Sequence, residues 1–343
     1  MSITTTSTTT QKLETPFTTA ALGTDVPFWR SYIAGRPTPT EDFFALINAY
    51  HSSKKLTSFS VAHDVGTGPG NIAQRLAPYF NHVVGSDVND SALAAAPAIV
   101  PKEYLPRMTF VKSPAEGLAA PGVIPGDVGV GQTDLITVSE CIPLLDTSAA
   151  LSAFHTLLRP GGTLAIYFYG RPIFADGTDE NKKKCDEMYD AIATRICQFN
   201  LPMKGTPGFP FHARGVEALE SWLDNIAIPS SQWAGVERYK WNYDHPLLFN
   251  SHAGFDFEFG RVDRRGEGEK TIEVMDRGFW AEEWGIDNLR EYLESVYPNI
   301  RRKAGEGWAE VETMLKELET VMGGEGAKRK VSFTVALILA TRK

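Results

Sequence analysis

Short apolar runs alternate with helix-like stretches over the first half of the chain. The runs lie at residues 60–65, 83–87, 109–112, 134–138 and 163–169. Continuous apolar strands separated by helices are typical of a parallel sheet that is covered on both faces. The pattern therefore predicts an α/β fold with one central sheet and helices on both sides of it.

The pattern changes after residue 170. Apolar residues at helical spacing predict four helices, at residues 179–199, 215–226, 279–296 and 308–322. Two stretches between them, at residues 235–243 and 255–262, predict a β-hairpin. The β-branched run at residues 331–340 predicts a buried strand that returns to the main sheet.

Composition and charge narrow the class of protein. The chain has 343 residues and a formal net charge of −8, which argues against a nucleic-acid partner because such proteins carry a basic face. The three cysteines, Cys141, Cys185 and Cys197, lack the spacing of a zinc site or a disulfide framework. No apolar run approaches the ~20 residues of a membrane span, and the Ser/Thr-rich N-terminus lacks signal-peptide features. We expect a soluble, cytoplasmic protein without a metal or a membrane partner.

The most informative segment runs from an apolar strand at residue 61 into three alternating glycines. Gly66, Gly68 and Gly70 follow Asp64 in an Asp-x-Gly-x-Gly-x-Gly series and lead into a helix-like stretch. Glycine permits a tight strand-to-helix turn and lets a ligand approach the backbone closely. This series predicts a nucleoside site and not a plain turn.

The position of Asp64 indicates the charge of the ligand. A dinucleotide site has the spacing G-x-G-x-x-G, which this loop lacks. A carboxylate repels the phosphates of NAD but attracts the ammonium of an amino-acid moiety. We therefore expect a ligand that is partly cationic, and S-adenosylmethionine, which carries an ammonium and a sulfonium, meets that requirement.

Further polar residues follow the next three strands. Asp87 ends the second strand, where a carboxylate accepts hydrogen bonds from ribose hydroxyls. Polar groups at residues 113–116, after the third strand, are placed to contact adenine. Glu140 ends the fourth strand, and its side chain either contacts the methionine part of the cofactor or supports the loop.

With these motifs the chain resembles the class I S-adenosylmethionine-dependent methyltransferases, and more narrowly a fungal branch that is similar to trans-aconitate methyltransferase. The resemblance is sharp from about residue 28 to residue 174 and thin beyond. It rests on residues 32–37, 50–51, 64–70, 85–87, 138–141 and 158–166. It implies a Rossmann-like sheet of seven strands whose last strand is antiparallel, with an N-terminal arm that closes over the cofactor.

The resemblance and the loop chemistry together assign roles to individual residues. We expect S-adenosylmethionine to be bound by Tyr32, Arg36, Asp64, Gly66, Thr67, Gly68, Asp87, Val88, Ser113, Ala115, Glu116 and Glu140. Candidates for positioning the acceptor are Tyr32, Cys141 and Ile142, and candidates for contacting it are Phe28, Trp29 and Tyr169. The chain departs from its relatives at Ile142-Pro143, where they carry a His-Trp pair, so the acceptor does not follow from the resemblance.

These assignments divide the chain into five expected regions. They are a disordered tail at residues 1–26, an arm with a helix at 27–58, a cofactor-binding core at 59–175, a substrate-cap insertion at 176–330 and the last core strand at 331–343.

Two classes of function remain open at this stage. The first is a methyltransferase that acts on a small molecule, with a carboxylate or a hydroxyl of a metabolite as the acceptor. The second is a cofactor-binding protein of the same fold that regulates, or catalyses a rearrangement, without methyl transfer. An NAD-dependent oxidoreductase is disfavoured by Asp64 and by the glycine spacing. No histidine stands out as a base; His212, His245 and His252 lie in the variable region, while His63, His82 and His155 fit structural roles.

Overall fold

The computed structural model describes residues 25–54, 57–199, 205–206, 208–297 and 299–343. One sheet of nine strands runs through this part of the chain. The strands are β1 (Val61–Val65), β2 (His82–Asp87), β3 (Met108–Lys112), β4 (Thr133–Ser139), β5 (Leu158–Phe174), β6 (Trp233–Trp241), β7 (Lys270–Val274), β8 (Glu282–Trp284) and β9 (Arg329–Arg342).

The strand order is β3-β2-β1-β4-β5-β9-β6-β7, and β8 also pairs with β9. Strands β1 to β5 are parallel to their neighbours, whereas β9 runs antiparallel to both β5 and β6. The expected seven-stranded core with an antiparallel last strand is thereby confirmed. β7 and β8 extend it to nine strands.

Helices cover both faces of the sheet, as the pattern predicted. They are α1 (Val26–Ala34), α2 (Glu41–Ser52), α3 (Ala73–Leu76), α4 (Asp90–Ile99), α5 (Thr147–Leu157), α6 (Asp179–Gln198), α7 (Phe209–Glu220), α8 (Ile286–Val296), α9 (Ile300–Ala304) and α10 (Trp308–Met322). One apolar cluster joins the sheet to α2, α6, α8 and α10, and a second joins its opposite face to α5 and α7. None of the described helices is both long and apolar enough to cross a membrane.

The expected hairpin at residues 235–243 and 255–262 is wrong. The first stretch forms β6, which pairs in parallel with β7 and antiparallel with β9. The second stretch is extended but belongs to no strand. Its alternating Phe255, Phe257 and Phe259 pack against the second apolar cluster and each other, so their period of two reflects one buried side of an unpaired segment.

Two predicted helices also differ from the observed ones. The helix expected at residues 279–296 begins only at Ile286, so Trp280 and Trp284 do not share a helix face; both are nevertheless buried in the core. The helix expected at 215–226 is α7, which ends at Glu220 because Trp222 and Leu223 adopt left-handed backbone angles. The five domain boundaries stay a prediction, and the expected tail at residues 1–26 lies almost wholly outside the described residues.

Candidate functional site

The predicted cofactor residues meet at one edge of the sheet. Register places Asp64 opposite Gly85 of β2 and Thr137 of β4, so the carboxyl ends of β1, β2 and β4 lie side by side. Ligands of open parallel sheets bind at this edge.

The three glycines turn the chain from β1 towards α3. All three have positive φ: 70° at Gly66, 55° at Gly68 and 87° at Gly70. A Cβ on Gly66 would lie 2.6 Å from Cys141 Sγ, and one on Gly70 would lie 2.8 Å from Val100 Cγ2. A Cβ on Gly68 would meet no described atom within 4 Å. Gly66 and Gly70 are therefore required by the protein's own packing, whereas Gly68 borders open space that a ligand can enter.

Asp64 is a buried carboxyl with capacity left for a ligand. It is 1% exposed, and its Oδ1 accepts a 2.8 Å hydrogen bond from Thr137 Oγ1. Within the described residues its Oδ2 has no partner in good hydrogen-bond geometry, although the Thr67 hydroxyl and Ala73 N lie near enough to lower the pKa of the carboxyl. Burial raises its pKa to about 6. A cationic donor placed beside Oδ2 would satisfy this oxygen and favour the ionised form.

Asp87 closes the loop from the other side. Its Oδ2 accepts a hydrogen bond from Gly68 N and its Oδ1 accepts one from Asn89 N, both at 2.8 Å. Burial raises its pKa, although these backbone donors favour the ionised form. The next residue, Val88, is apolar and 46% exposed, which is unusual beside so polar a loop.

The residues expected near adenine connect the loops after β3 and β4. Ser113 and Ala115 are buried, and Ser113 Oγ donates to the carbonyl of Pro114. Glu116 Oε1 accepts a 2.8 Å hydrogen bond from Asp146 N. In the described structure Glu116 therefore joins the loop after β3 to the loop after β4, whereas Ser113 bonds within its own loop.

The arm reaches the same edge through α1 and the residues after it. Arg36 Nη2 donates to the carbonyl of Ser295 at 2.7 Å, and Nη1 donates to the hydroxyl of Tyr169 at 3.3 Å. Its guanidinium lies 4.8 Å from the centre of the Tyr32 ring. Burial raises the pKa of Tyr32, with further influence from Arg36, Glu140 and Asp87. The structure thus brings the arm, the glycine loop and β4 together.

Glu140 lies at the centre of this group. Its Oε1 accepts a 2.7 Å hydrogen bond from Tyr169 N, and its Oε2 is 3.8 Å from Arg36 Nη1. Its backbone is left-handed, with φ of 60°. Burial raises its pKa to about 8, although Arg36 opposes the rise.

The acceptor candidates separate into two sets. Phe28 and Tyr32 stack with their ring centres 6.4 Å apart and line a cavity of about 280 Å³ between α1 and α8. Trp29 instead packs on α4, where its Nε1 donates to Ser91 Oγ at 2.9 Å. Ile142 is fully buried in the second apolar cluster. Trp29 and Ile142 are therefore almost fully covered by the protein in this structure, and their contact with an acceptor stays a prediction.

Cys141 and Tyr169 complete the candidate residues. The Cys141 thiol lies 3.5 Å from the carbonyl of Val65, directly under the glycine loop. Tyr169 is 5% exposed and contacts Arg36 through its hydroxyl and Glu140 through its backbone. Sequence reasoning missed Tyr167, Tyr292 and Ser295, which lie around Arg36 and Glu140. Two of them come from α8, more than 250 residues after Arg36, and no local pattern connects them.

The histidines stand apart from this group. His63 Nε2 shares a hydrogen bond with Ser86 Oγ, and burial lowers the pKa of His63 to about 3. His245 lies beside Asp186 and Asp244, and His252 beside Glu220. His212 lies between the rings of Phe255 and Phe257. The described part of the chain also contains no cluster of three or more His, Cys, Asp or Glu side chains arranged for a metal ion.

Comparison with known proteins agrees with this geometry. A family model described as a methyltransferase domain matches residues 62–162. The methyltransferase ptaI of Pestalotiopsis fici is 59% identical over 335 residues, which cover 97% of this chain and 98% of that protein. The chain belongs to the methyltransferase family. The methyltransferase pgmE of Aspergillus terreus is 37% identical over 326 residues, covering 92% and 93% of the two chains.

A solved structure supports the fold separately. A putative type II methyltransferase from Anaeromyxobacter dehalogenans superimposes with a TM-score of 0.51 at 18% identity, covering 89% of this chain and 97% of that one. With the family match and the relatives, this fold confirms the expectation of a class I methyltransferase, and S-adenosylmethionine is the cofactor of this class. The narrower likeness to trans-aconitate methyltransferase stays a prediction.

The residues present fit this cofactor. Gly68 leaves open space at the loop. Within the described structure Asp64 Oδ2 has no partner in good hydrogen-bond geometry, so it can accept a hydrogen bond from a ligand. Asp87 adds a second carboxylate, which suits hydroxyl donors and opposes phosphates. A neutral or cationic nucleoside therefore suits the loop better than a dinucleotide.

Proposed function

We propose that this methyltransferase transfers a methyl group from S-adenosylmethionine to an oxygen of a small metabolite. The observation that carries the proposal is the open side of Gly68, which follows the buried carboxyl of Asp64 and donates its N–H to the partly buried carboxyl of Asp87. Its curated relatives with high coverage are fungal methyltransferases, which supports a metabolite as the acceptor.

We assign the cofactor residues by the chemistry of each part of the ligand. The methionine ammonium would meet Asp64, and its carboxylate would meet Arg36, whose Nε is buried without a partner among the described residues. Asp87 would accept hydrogen bonds from the ribose hydroxyls. The adenine would lie against exposed Val88 and the segment that contains Ser113, Ala115 and Glu116. Gly66, Thr67 and Gly68 supply the backbone beside which these groups lie, and Tyr32 covers them.

The protein contributes to the reaction by aligning the acceptor with the methyl group and by excluding water. The cofactor supplies a methyl group that the sulfonium already activates, so the acceptor oxygen must be held in line at ~3–3.5 Å from it. Tyr32, Tyr169 and the α1–α8 contact through Arg36 and Ser295 enclose this edge of the sheet. We propose that the acceptor enters by the cavity of about 280 Å³ that Phe28 and Tyr32 line.

Calorimetric titration with S-adenosylhomocysteine tests the cofactor site. Asp87→Ala should weaken its affinity 10- to 100-fold, equivalent to about 1–3 kcal/mol, because charge-assisted hydrogen bonds to the ribose are lost. Asp90→Asn is the control, since Asp90 is exposed and pairs with Lys112. Unchanged affinity in Asp87→Ala would show that the ribose assignment is wrong, and tighter binding of NAD than of S-adenosylhomocysteine would overturn the whole site.

Methyl transfer is tested with labelled S-adenosylmethionine and fungal metabolite extracts, with mass spectrometry as the readout. A product that is heavier by one methyl group is expected. Binding of S-adenosylhomocysteine without any methylated product across these extracts would favour a cofactor-binding protein that regulates or catalyses without methyl transfer.

A further inference from the structure

We propose that Glu140 accepts the proton of a hydroxyl acceptor, so that the oxygen methylated is that of a phenol or an enol and not that of a carboxylic acid. This inference rests on the proposed methyl transfer and assigns a catalytic base to a site in which the sequence shows none.

The position of Glu140 is the first argument. It directly follows β4, and β4 pairs with β1 through Asp64↔Thr137 and Val65↔Val138. The next residue, Cys141, contacts the carbonyl of Val65. Glu140 therefore projects from the same edge as the glycine loop, where the reactive end of the cofactor and the acceptor oxygen have to meet.

The backbone of Glu140 is the second argument. Its φ of 60° is left-handed, a conformation that non-glycine residues seldom adopt and that persists where the surrounding structure imposes it. Two bonds to β5 impose it here: Glu140 N donates to the carbonyl of Tyr167 at 3.1 Å, and Glu140 Oε1 accepts from Tyr169 N at 2.7 Å. The strained backbone thus fixes the carboxylate in one orientation.

The two carboxylate oxygens have different surroundings. Oε1 is committed to Tyr169 N. Within the described structure, Oε2 has only the Arg36 guanidinium within ion-pair distance, at 3.8 Å, which is too long for a hydrogen bond. The side chain is 18% exposed. Oε2 is therefore the oxygen that remains able to accept a proton from a ligand.

The surroundings of Glu140 suit a base that works near neutral pH. Arg36 is the cation beside it, and Asp64 and Asp87 are the nearby carboxyls of β1 and β2. The other titratable groups around it are Tyr32, Cys141, Tyr167, Tyr169 and Tyr292. Burial raises the pKa of Glu140 to about 8. A carboxylate is a more effective base for a phenol when its pKa approaches the working pH.

The step balances in atoms and charge. A lone pair of the acceptor oxygen forms the new O–CH₃ bond, and the O–H proton moves to Glu140 Oε2, which releases it to solvent. Bound S-adenosylmethionine supplies the methyl group and keeps the electron pair of the broken S–CH₃ bond as neutral S-adenosylhomocysteine. A carboxylate acceptor needs no base, and it would be repelled by the ionised form of Glu140, the form that acts as the base.

The alternative is that Glu140 binds the methionine ammonium, and the binding of S-adenosylhomocysteine separates the two. Glu140→Gln keeps the size of the side chain and an oxygen for Tyr169 N. We expect this variant to bind S-adenosylhomocysteine within threefold of the wild type in calorimetric titration. An affinity loss of tenfold or more would place Glu140 on the cofactor and overturn the proposal. Glu103→Gln is the matched control, because Glu103 is exposed on the surface.

Enzyme kinetics provide a second test of the proposed base. Once an acceptor that the protein methylates has been identified, kcat/KM for that acceptor should fall by roughly 100-fold or more in Glu140→Gln. The rise of the wild-type rate with pH should vanish in this variant, whereas Glu140→Asp should keep the rise at a lower kcat. A wild-type pH profile in Glu140→Gln would overturn the proposal. Wild-type protein that binds no S-adenosylhomocysteine would instead refute the proposed function itself.

The binding of two simple probes tests whether the site prefers a phenol to a carboxylate. The protein loaded with S-adenosylhomocysteine is titrated with phenol and with benzoate. Phenol should bind more tightly than benzoate to the wild type, and Glu140→Gln should lose this preference. Tighter binding of benzoate by the wild type would show a carboxylate acceptor and overturn the inference.

Discussion

Gly66 and Gly68 in the glycine loop have different structural roles, although the sequence does not distinguish them. A Cβ on Gly66 would meet Cys141 Sγ at 2.6 Å, whereas one on Gly68 would meet open space. Both have positive φ, so alanine is strained at either position. The collision with Cys141 is added to this strain only at Gly66.

We therefore predict that the two alanine variants fail in different ways. Gly66→Ala should lower the free energy of unfolding by about 2–4 kcal/mol, because backbone strain and overpacking add. Gly68→Ala should lower it by only about 1 kcal/mol, yet weaken S-adenosylhomocysteine binding at least tenfold. Denaturant titration and calorimetry measure the two effects.

A double variant is the control for this pair. Cys141→Ala removes the Sγ atom that a Cβ on Gly66 would meet, so it should recover part of the stability lost in Gly66→Ala. Equal loss of stability in Gly66→Ala and Gly68→Ala would contradict the packing argument.

The raised pKa of Glu140 predicts a pH-dependent stability. Its ordinary value of 4.5 applies to the unfolded chain, whereas burial raises the pKa to about 8 in the fold. Between these values the folded state holds more protons, so stability falls as pH rises through this window. Between pH 5 and pH 8.5, Glu140→Gln should gain about 4 kcal/mol of stability relative to the wild type, with the two proteins within about 1 kcal/mol of each other at pH 5. Urea titrations of the cofactor-free protein measure this; a difference that is largest at pH 5 would refute the sign.

At the scale of elements, the arm is fastened at two places. Trp29 joins α1 to α4 through Ser91 Oγ, and Arg36 joins it to α8 and β5. Gly35 permits the second contact, since a Cβ there would lie 2.7 Å from the carbonyl of Glu291. The arm is therefore held against the cofactor edge from both sides.

Loss of the contact between Trp29 and α4 should speed hydrogen exchange of the backbone amides of α1. Trp29→Phe keeps an aromatic ring on α4 but loses the hydrogen bond to Ser91, worth about 1 kcal/mol. Amides of α1 should exchange with deuterium several-fold faster, as measured by mass spectrometry. Trp308→Phe is the matched control, because it loses a similar bond to Glu312 on α10. Faster exchange of α1 in the control, or none in Trp29→Phe, would contradict this account.

At the scale of the whole molecule, β9 unites the two halves of the sheet. It pairs with β5, β6 and β8, and nearly all its residues from Val331 to Ala340 are buried. Among the described strands, β1 to β5 share no other ladder with β6, β7 and β8. The last 15 residues thus close a sheet that begins near residue 61.

Removal of β9 should abolish the fold. A chain that ends at Lys328 should show no cooperative thermal transition by circular dichroism. Without β9, strands β5 and β6 lose the strand that pairs with both of them, and the apolar residues that β9 contributes to the core are lost. Removal of Lys343 alone is the control and should leave the transition within a few degrees of the wild type. A cooperative melt of the shorter chain would show that the two halves fold separately.

The sequence by itself determined the parallel core, the glycine loop and the place of Asp87. These features are local, since an apolar run predicts a buried strand and a series of glycines a few residues long predicts a turn with positive φ. Two of the candidates on the arm, Tyr32 and Arg36, came from the resemblance to a family.

Only the tertiary structure decided which apolar surfaces face each other. The phenylalanines at 255–259 alternate like those of a strand, but in the described structure their backbone pairs with no strand, and β6 pairs with β7 and β9 instead. The contacts of Arg36 with Tyr169 and Ser295 join residues 133 and 259 positions apart. The raised pKa of Glu140 likewise comes from burial by distant elements. Local patterns record neither pairing nor burial, because both depend on where the rest of the chain lies.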